Sequence, residues 1–188
     1  MDTMKMNDVK AAADFVIRDV SEADMAHVQR IYAHHVLHGI ASFEEEAPSL
    51  EEMLARRREV MRQGLPFLVA AQAETVIGYS YAAAYRARAA YRYTVEDSVY
   101  LADGLAGRGI GRTLLAALIA RCEQGPWRQM IAVIGDSGNE ASIRLHSRLG
   151  FTQVGTLRSV GFKLGRWVDS VLMQRDLGPG DTMPPRLP

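Results

Sequence analysis

A glycine-rich turn that runs straight into an apolar helix constrains this chain more than any other feature of its sequence. The stretch GLAGRGIGRTLLAALIARC (104–122) has glycine at 107, 109 and 111 and none after that. The segment before it, YTVEDSVYL (93–101), is rich in strand-forming residues. Apolar residues then recur with helical spacing, which predicts a helix over about 109–124 with one buried face. They are Ile110, Leu114, Leu115, Leu118, Ile119 and Cys122.

The rest of the chain supplies strands and helices on both sides of this unit. The other strand segments are short and either apolar or alternating. They span 15–20, 66–72, 75–85 and 130–135, with a hairpin over 151–177. Capping and stop signals predict three further helices, one that ends near Gly39, one over 48–64 and one over 139–150. Strands alternate with helices only in the second half, so we predict an α/β fold of the α+β type, a mixed sheet with helices on both faces.

Length and charge narrow the class of protein. At 188 residues, a single domain is expected. Acidic and basic residues balance at 22 each, so the basic surplus of a typical nucleic-acid-binding protein is missing and we predict no nucleic-acid partner. The longest apolar run, TLLAALIA, is far shorter than the roughly 20 residues of a membrane-spanning helix, so we predict no membrane association. The single cysteine, Cys122, excludes an internal disulfide and fits a reducing, cytoplasmic setting.

The two ends of the chain differ in character from its middle. Residues 1–14 lack the apolar core of a signal peptide, and we predict a flexible leader there. Residues 178–188 are rich in proline and glycine, which predicts a flexible tail. The folded part is therefore predicted to be one domain over 15–177.

Spacing separates three kinds of ligand site that place a glycine turn before a helix. A dinucleotide-binding turn needs G-x-G-x-x-G and a P-loop needs Lys-Ser or Lys-Thr after its last glycine, whereas this chain has G-x-G-x-G and neither pair. The third interpretation rests on the helix start, where unpaired N–H groups and a partial positive charge attract phosphate. Arg108 and Arg112 add charge there. The stretch is thus either a pyrophosphate site or a turn that only fixes helix packing.

Motifs in several separate places resemble one family. The turn AGRGIG is similar to the [QR]-x-x-G-x-[GA] signature of the GNAT superfamily of acetyl-CoA-dependent N-acetyltransferases, with Gly109 and Gly111 at its glycine positions and Ala106 in place of Gln or Arg. Three further segments resemble blocks of the phosphinothricin and methionine-sulfoximine N-acetyltransferases within that superfamily. They are YRARAAYRYTVEDSVYL, GNEASIRLHSRLGF and VGFKLGRWVDSVLMQ. The resemblance covers about residues 15–177.

The resemblance implies a GNAT-like fold with a central, mostly antiparallel twisted sheet, acetyl-CoA as cosubstrate and no metal. It implies that the pantetheine arm pairs with the backbone of residues 99–101 like an added strand and that the pyrophosphate lies on the glycine turn. Asn139 is also predicted to cap its helix. The predicted acetyl-CoA contacts are Val99, Tyr100, Leu101, Gly107, Arg108, Gly109, Ile110, Gly111, Arg112, Asn139 and Ser142.

Glu96 and His146 are the predicted catalytic residues. Glu96, Ser98 and Tyr100 alternate onto one face of their strand, whereas Asp97 faces the other way and is interpreted as structural. The resemblance places the general base at Glu96, acting through water, while the residues alone also allow an exposed acid on a half-buried strand. His146 stands where the wider superfamily often has a tyrosine that protonates the leaving thiolate. It is interpreted as an acid, a cofactor ligand or a histidine packed between helix and sheet.

Arginines and tyrosines alternate in YRARAAYRY (85–93), close to Glu96 in the chain. An arginine can hold an amino-acid carboxylate through two parallel hydrogen bonds, and Arg86 is the first choice for this role. The resemblance implies a small amino-acid analogue as acceptor, such as phosphinothricin, methionine sulfoximine or methionine sulfone. A peptide N-terminus and a merely solvated basic loop are the alternatives. The resemblance also matches Phe43 to an aromatic residue of the family's substrate loop. The predicted acceptor-binding residues are Phe43, Arg86, Arg88, Tyr91 and Tyr93.

The resemblance also implies a homodimer, with the active site completed near the interface and the 160–167 hairpin close to it. Two other functions remain open at this point. One is a protein or peptide N-terminal amine acetyltransferase, which the arginines of 86–92 disfavour. The other is an acyl-CoA-binding module without catalysis, which the presence of Glu96 disfavours.

Overall fold

The computed structural model describes residues 15–185, and seven strands and four α-helices lie within that range. The strands are β1 (Val16–Asp19), β2 (Phe67–Gln72), β3 (Thr75–Ala84), β4 (Thr94–Leu101), β5 (Gln129–Gly135), β6 (Thr152–Lys163) and β7 (Arg166–Asp176). The helices are α1 (Met25–His38), α2 (Leu50–Arg62), α3 (Ile110–Glu123) and α4 (Glu140–Arg148). The predicted elements are therefore present, with bounds that agree to within two residues.

The two predicted flexible ends fall largely outside this range. The whole leader, 1–14, and residues 186–188 of the tail lie outside the described residues. The tail residues that are described form turns directly after β7. In these turns the N–H of Gly180 donates to the carbonyl oxygen of Leu177 at 3.1 Å.

All strands join one sheet in the order β1-β2-β3-β4-β5-β7-β6. Each neighbouring pair is antiparallel except β4 and β5, which are parallel. This parallel ladder runs from Thr94 opposite Gln129 to Asp97 opposite Ala132 and ends there, although both strands continue. The sheet is therefore open along the last part of β4 and β5, near its middle. The predicted mixed, mostly antiparallel sheet is confirmed.

Alternation along β4 decides which helix each side chain meets. Tyr100 points towards α1, where its ring meets the ring of Tyr32 edge-on with centroids 5.1 Å apart. Asp97 points to the opposite face and contacts His146 of α4. Helix α3 packs against β3 and β4 and carries part of the core. Helices thus cover both faces of the sheet, as predicted.

The core depends on the apolar stripe of α3. All six residues of the predicted stripe are buried, and the thiol of Cys122 is among them. Burial raises the pKa of this thiol to about 12, so it stays protonated and acts as part of the core.

A capping box starts α2, because the Ser49 hydroxyl accepts from the N–H of Glu52 while the Glu52 carboxylate accepts from the N–H of Ser49. No helix among residues 15–185 combines the length and apolar character needed to cross a membrane.

Truncation of the α3 stripe tests its weight in the core. Leu118 is 0% exposed, and Leu118→Ala should lower the free energy of unfolding by about 2 to 5 kcal/mol because a cavity replaces packed atoms. Leu50, at the exposed start of α2, is 43% exposed, and Leu50→Ala should change that free energy by no more than about 0.5 kcal/mol. Urea unfolding followed by circular dichroism measures both. Equal losses for the two variants would contradict this assignment of the core.

Candidate active site

A cavity of about 550 Å³ lies where β4 and β5 part. It is lined from both faces of the sheet, because Glu96 and Tyr100 reach it from the α1 face while Asp97 and His146 reach it from the α4 face. The two predicted catalytic side chains, Glu96 and His146, therefore meet in one cavity although they belong to opposite sides of β4. The other lining residues are Tyr32, Ala41, Ser42, Phe43, Glu44, Tyr81, Ser98, Val99, Ala132, Val133, Ile134, Gly135, Asn139, Ser142 and Ser170.

The free edge of β4 presents backbone groups to this cavity. Ala102 donates its N–H to the carbonyl oxygen of Ile77, which directs the amide of residue 102 towards β3. Because successive residues of a strand direct their N–H and C=O groups to opposite edges, Val99 and Leu101 direct theirs towards the gap. The carbonyl oxygen of Leu101 is already bonded to Nε2 of His35, at 2.8 Å. The N–H groups of Val99 and Leu101 and the carbonyl of Val99 remain on the gap side for an extended ligand.

The glycine turn follows β4 and leads into α3. Gly107 and Gly109 have φ of 79° and 82°, a left-handed conformation that glycine adopts without strain. Gly109 is the N-cap of α3 and offers no side-chain cap, so the first N–H groups of that helix keep their capacity to bind an anion. A Cβ atom on Gly107 or Gly109 would meet nothing within 4 Å, so this surface is open. Arg108 and Arg112 are exposed beside it.

Gly111 differs from the other two glycines of the alternation. It lies inside the first turn of α3 and is buried. A Cβ atom there would come 3.6 Å from side-chain atoms of Leu101 and Leu145, which is ordinary contact. Gly111 therefore marks where α3 packs on the end of β4 and on α4. Of the three alternating glycines, Gly107 and Gly109 thus meet a backbone requirement for positive φ, whereas Gly111 meets a packing requirement.

The carboxyl group of Glu96 titrates close to neutrality. Burial disfavours its charged form, and the neighbouring charge of Asp97 adds to this, so its pKa is raised to about 7. No donor among residues 15–185 lies within hydrogen-bond distance of this carboxylate in the structure. A carboxyl group with this pKa in a cavity can both accept and release a proton at neutral pH.

His146 is held in a buried ion pair with Asp97. Its Nε2 lies 3.1 Å from Oδ2 of Asp97, and its Nδ1 lies 2.7 Å from the carbonyl oxygen of Ser142. Both partners accept hydrogen bonds, so they favour the doubly protonated, charged form of the ring. Burial by itself would lower the pKa of His146, but the hydrogen bond and charge of Asp97 together with the Ser142 carbonyl outweigh it and raise the pKa. Release of either ring proton breaks one of these bonds.

Asp97, which was interpreted from the sequence as structural, is part of the site. Its side chain is almost fully buried, lines the cavity and pairs with a residue 49 positions away. Its second oxygen, Oδ1, has no hydrogen-bond partner among the described residues. Strand alternation indicated correctly that Asp97 faces away from Glu96. No local signal in the sequence pairs Asp97 with His146.

The start of α4 brings two more predicted residues to the cavity. Asn139 accepts the N–H of Ser142 through its Oδ1 at 3.2 Å, which confirms the predicted N-cap. Both residues line the cavity. They lie beside the gap between β4 and β5, on the α4 side. Their predicted contact with the cosubstrate stays a prediction.

The predicted acceptor residues divide into two groups. Phe43 lines the cavity. The other four predicted residues belong to the 85–93 segment and do not line the cavity. They are Arg86, Arg88, Tyr91 and Tyr93. They surround a 3-10 turn at Ala89–Tyr91 between β3 and β4, and the guanidinium of Arg86 lies over the rings of Tyr85 and Tyr91 at 5.0 and 5.7 Å. A single chain does not bring this segment to the cavity, and its role in acceptor binding stays a prediction.

Helix α1 and the chain after it form a cavity wall that the sequence analysis missed. The hydroxyl of Tyr32 donates to Oε1 of Glu44 and lies 2.9 Å from Oγ of Ser42. Arg56 of α2 holds both carboxylate oxygens of Glu44, at 2.7 and 3.1 Å. These partners are 10 or more positions apart in the chain, so no short motif reveals them. Within residues 15–185, no group of three or more His, Cys, Asp or Glu is arranged to ligate a metal.

Comparison with known proteins identifies the family. Residues 17–172 match the family described as "Acetyltransferase (GNAT) domain". The chain is 57% identical over 169 residues to a phosphinothricin N-acetyltransferase of Alcaligenes faecalis, which covers 90% of this chain and 86% of that protein. It is 39% identical over 161 residues to an L-methionine sulfoximine/L-methionine sulfone acetyltransferase of Salmonella typhimurium, with 86% and 94% covered.

A solved structure agrees with these sequence comparisons. The crystal structure of a phosphinothricin acetyltransferase from Sinorhizobium meliloti in complex with acetyl-CoA matches with a TM-score of 0.89 and 44% identity. The match covers 92% of this chain and 94% of that one. The chain therefore belongs to the GNAT family of acetyltransferases and is an N-acetyltransferase. The family and the fold predicted from the motifs are confirmed.

The buried ion pair makes the stability of the protein depend on pH. The pKa of His146 in the folded protein lies above its ordinary value of 6.5, so the pair contributes fully below pH 6.5 and loses its contribution as the pH rises through the folded pKa. His146→Gln should therefore lose stability, of the order of a few kcal/mol near pH 6, and the gap to wild type should shrink as the pH rises from there through the folded pKa. Urea unfolding across this range measures the gap.

An exposed histidine provides the control for this experiment. His38, at the end of α1, is exposed, and the gap between wild type and His38→Gln should stay small across the range. A gap for His146→Gln that does not change with pH would contradict the charged state of the ring.

Proposed function

We propose that this protein acetylates the α-amine of a small amino-acid analogue of the phosphinothricin, methionine sulfoximine or methionine sulfone type, with acetyl-CoA as the donor. The observation that carries this proposal is the carboxyl group of Glu96, whose pKa of about 7 suits a base at neutral pH, in a cavity beside an open strand edge. The names of the relatives support the class of acceptor. The free, buried thiol of Cys122 fits a reducing, cytoplasmic location.

Acetyl-CoA fits the groups that the open sheet and the glycine turn present. The amide arm of the cosubstrate is proposed to extend β4 by bonding to the backbone of Val99 and Leu101. Its pyrophosphate is proposed to lie at the start of α3, where Arg108 and Arg112 add positive charge. An N–H of the β4 edge is then directed at the thioester oxygen, which gains negative charge as the amine attacks.

The proposed transfer is direct, within a ternary complex. An α-ammonium group must lose a proton before its nitrogen can attack, and Glu96 is the proposed base, directly or through water. A bond forms between the amine nitrogen and the carbonyl carbon, the carbon–sulfur bond breaks, the second proton that the nitrogen loses passes to solvent, and CoA leaves as the thiolate. The imidazolium of His146 is proposed to stabilise this negative charge from the α4 side without giving up its proton. Cys122 lies buried in the core and is not proposed as an acetyl carrier.

Acceptor binding is proposed to combine the cavity wall with the arginine segment. Phe43 lines the cavity and is proposed to contact the side chain of the acceptor. Arg86, with Arg88 as the second choice, is proposed to hold the acceptor carboxylate, and Tyr91 and Tyr93 to shape the site around it. In a single chain these four residues do not line the cavity, so the proposal requires movement of the 85–93 segment or its supply by a second chain.

Release of free thiol from acetyl-CoA tests the proposed function. The panel contains methionine sulfoximine, methionine sulfone, phosphinothricin, ordinary amino acids and a basic peptide. We expect release with the first three. Release with the peptide alone would indicate a protein acetyltransferase, and binding of acetyl-CoA without release with any amine would indicate a non-catalytic module.

Substitution of the proposed base gives a sharper prediction. Glu96→Gln should lower kcat by about 10²- to 10⁴-fold, with the Kd for acetyl-CoA changed by no more than about twofold. Because Glu96 must be ionised to act, wild-type kcat should rise as the pH increases through about 7, and this limb should vanish in the variant. Stopped-flow and steady-state thiol release across pH measure both. Glu59→Gln, at an exposed position of α2, is the control and should leave turnover unchanged. Near-wild-type turnover of Glu96→Gln across pH would contradict the role of Glu96 as the base.

We also propose a homodimer formed through the β6–β7 hairpin. Strand β6 is an edge of the sheet, yet this hairpin exposes large apolar side chains, which is typical of an interface. Phe162 and Trp167 are 57% and 64% exposed and pack edge-on against each other. The other exposed members are Val154, Leu157, Val160 and Leu164.

Analytical ultracentrifugation tests the dimer. Wild type should sediment at twice the 20.8 kDa of one chain, and Trp167→Glu should shift the population towards monomer by placing a charge in the interface. Leu37→Glu, at an exposed position of α1, should leave the dimer intact. An active wild-type protein that is strictly monomeric would contradict this proposal.

A further inference from the structure

The segment between α1 and α2 forms one wall of the cavity. We refer to residues 40–46 as the wall loop. Four consecutive residues of this loop, from Ala41 to Glu44, line the cavity opposite the free edges of β4 and β5. No helix or strand runs through it, so its backbone needs tertiary contacts to keep one conformation. An acceptor in the cavity is in reach of these residues.

Helices α1 and α2 fix the loop on one side. Tyr32 contacts the hydroxyl of Ser42 and donates to Glu44, and Arg56 pairs with Glu44. The N–H of Glu44 also donates to Oγ of Ser42 at 3.2 Å. Strand β5 bounds the loop at its start, because a Cβ atom on Gly135 would collide with the carbonyl oxygen of Ile40.

Strand β6 fixes the loop on the other side through two residues on the same face. The ring of Phe43 lies directly over Gly161, where a Cβ atom would come 2.5 Å from Cε2 of the ring. Two positions further on, Nζ of Lys163 donates to the carbonyl oxygen of Ser42 at 2.6 Å. Adjacent residues of the wall loop, 42 and 43, thus rest on alternate residues of one strand.

Lys163 is an unusual residue at this position. The chain has three lysines, at 5, 10 and 163, so Lys163 is the only lysine of residues 15–185. It is only 4% exposed. Lysine is rarely this buried because removal of its ammonium group from water is unfavourable unless the group is hydrogen-bonded and paired. The Ser42 carbonyl meets the first requirement, and the carboxylates of Glu44 and Glu45 supply favourable charge nearby.

We propose that Lys163 is a positioning residue for the acceptor amine, acting through the wall loop. Its ammonium group holds the Ser42 carbonyl and thereby keeps Phe43 seated on Gly161, so that the wall faces the cavity in one conformation. The inference rests on the proposed function for the identity of the acceptor, while the tether itself does not. Loss of the tether should weaken acceptor binding and leave the β4 edge and the start of α3, where acetyl-CoA is proposed to bind, unchanged.

Two substitutions of Lys163 separate its hydrogen bond from its volume. Lys163→Met keeps a long unbranched chain and removes the ammonium group, and it should raise the KM for the acceptor by about tenfold or more, as expected for a lost hydrogen bond from a charged group. The KM for acetyl-CoA and kcat should stay within about threefold of wild type. Lys163→Arg restores a charged donor and should recover most of the acceptor KM.

Gly161→Ala tests the same loop without touching the ammonium group. The added methyl group displaces the ring of Phe43, so this variant should also raise the acceptor KM more than the KM for acetyl-CoA. Arg30→Met removes an exposed charge on α1 and is the matched control, with no change expected in either constant. Thermal melts of all variants separate a local effect from loss of folding.

Hydrogen exchange of the wall loop gives a measure that does not depend on activity. Backbone amides of residues 40–46 should exchange faster in Lys163→Met than in wild type and in Arg30→Met, since their protection depends on the tether. Unchanged exchange in Lys163→Met would overturn the tether. Faster exchange with an unchanged acceptor KM, or with equal rises in both KM values, would overturn the positioning role.

The proposed function and this inference fail in different ways. Wild-type protein that releases no thiol with any amine of the panel would end the proposed function and, with it, the acceptor role of Lys163. Exchange of the wall loop would still decide whether the tether exists. Wild-type activity with unaltered kinetics in Lys163→Met would end the inference alone.

Discussion

The parting of β4 from β5 after Asp97 is the constraint on which the site depends. A parallel ladder holds the strands together as far as Asp97 and Ala132, and beyond it their edges face a cavity instead of each other. Backbone N–H and C=O groups rarely stay unpaired in a protein, so an open strand edge inside a sheet is a place for a ligand that can pair with it. The same gap lets side chains from both faces of the sheet reach one volume.

The two carboxyl groups beside the gap, those of Glu96 and Asp97, lie in different environments. Asp97 is hydrogen-bonded to His146 on one face, whereas Glu96 on the other face has no such partner among the described residues. Burial and the charge of Asp97 therefore act on Glu96 without compensation, and its pKa moves to about 7. Neighbouring carboxylates on one strand thus differ because strand alternation sends them to opposite faces.

Much of the fold and part of the site follow from local patterns in the sequence. The stripe of α3, the capping box of α2 and the Asn139 cap are short-range features, and all are present in the structure. The contacts of the wall loop with α1, α2 and β6 and the Asp97–His146 pair join residues 10 to 121 positions apart, so no local pattern predicts them. From the sequence, the segment that contains Lys163 was predicted to be a hairpin close to a dimer interface, and no role was assigned to Lys163 itself.

The sequence by itself determined the strand, glycine turn and helix order, the family, and the face of β4 on which Glu96 lies, because these depend on spacing within one element or on short motifs. Tertiary structure alone decided that β4 and β5 part after Asp97, that His146 pairs with Asp97, and that Lys163 is buried against Ser42. It also decided that the 85–93 segment does not line the cavity of a single chain. Each of these depends on which distant residues the fold brings into contact, and burial and pairing are properties of such contacts.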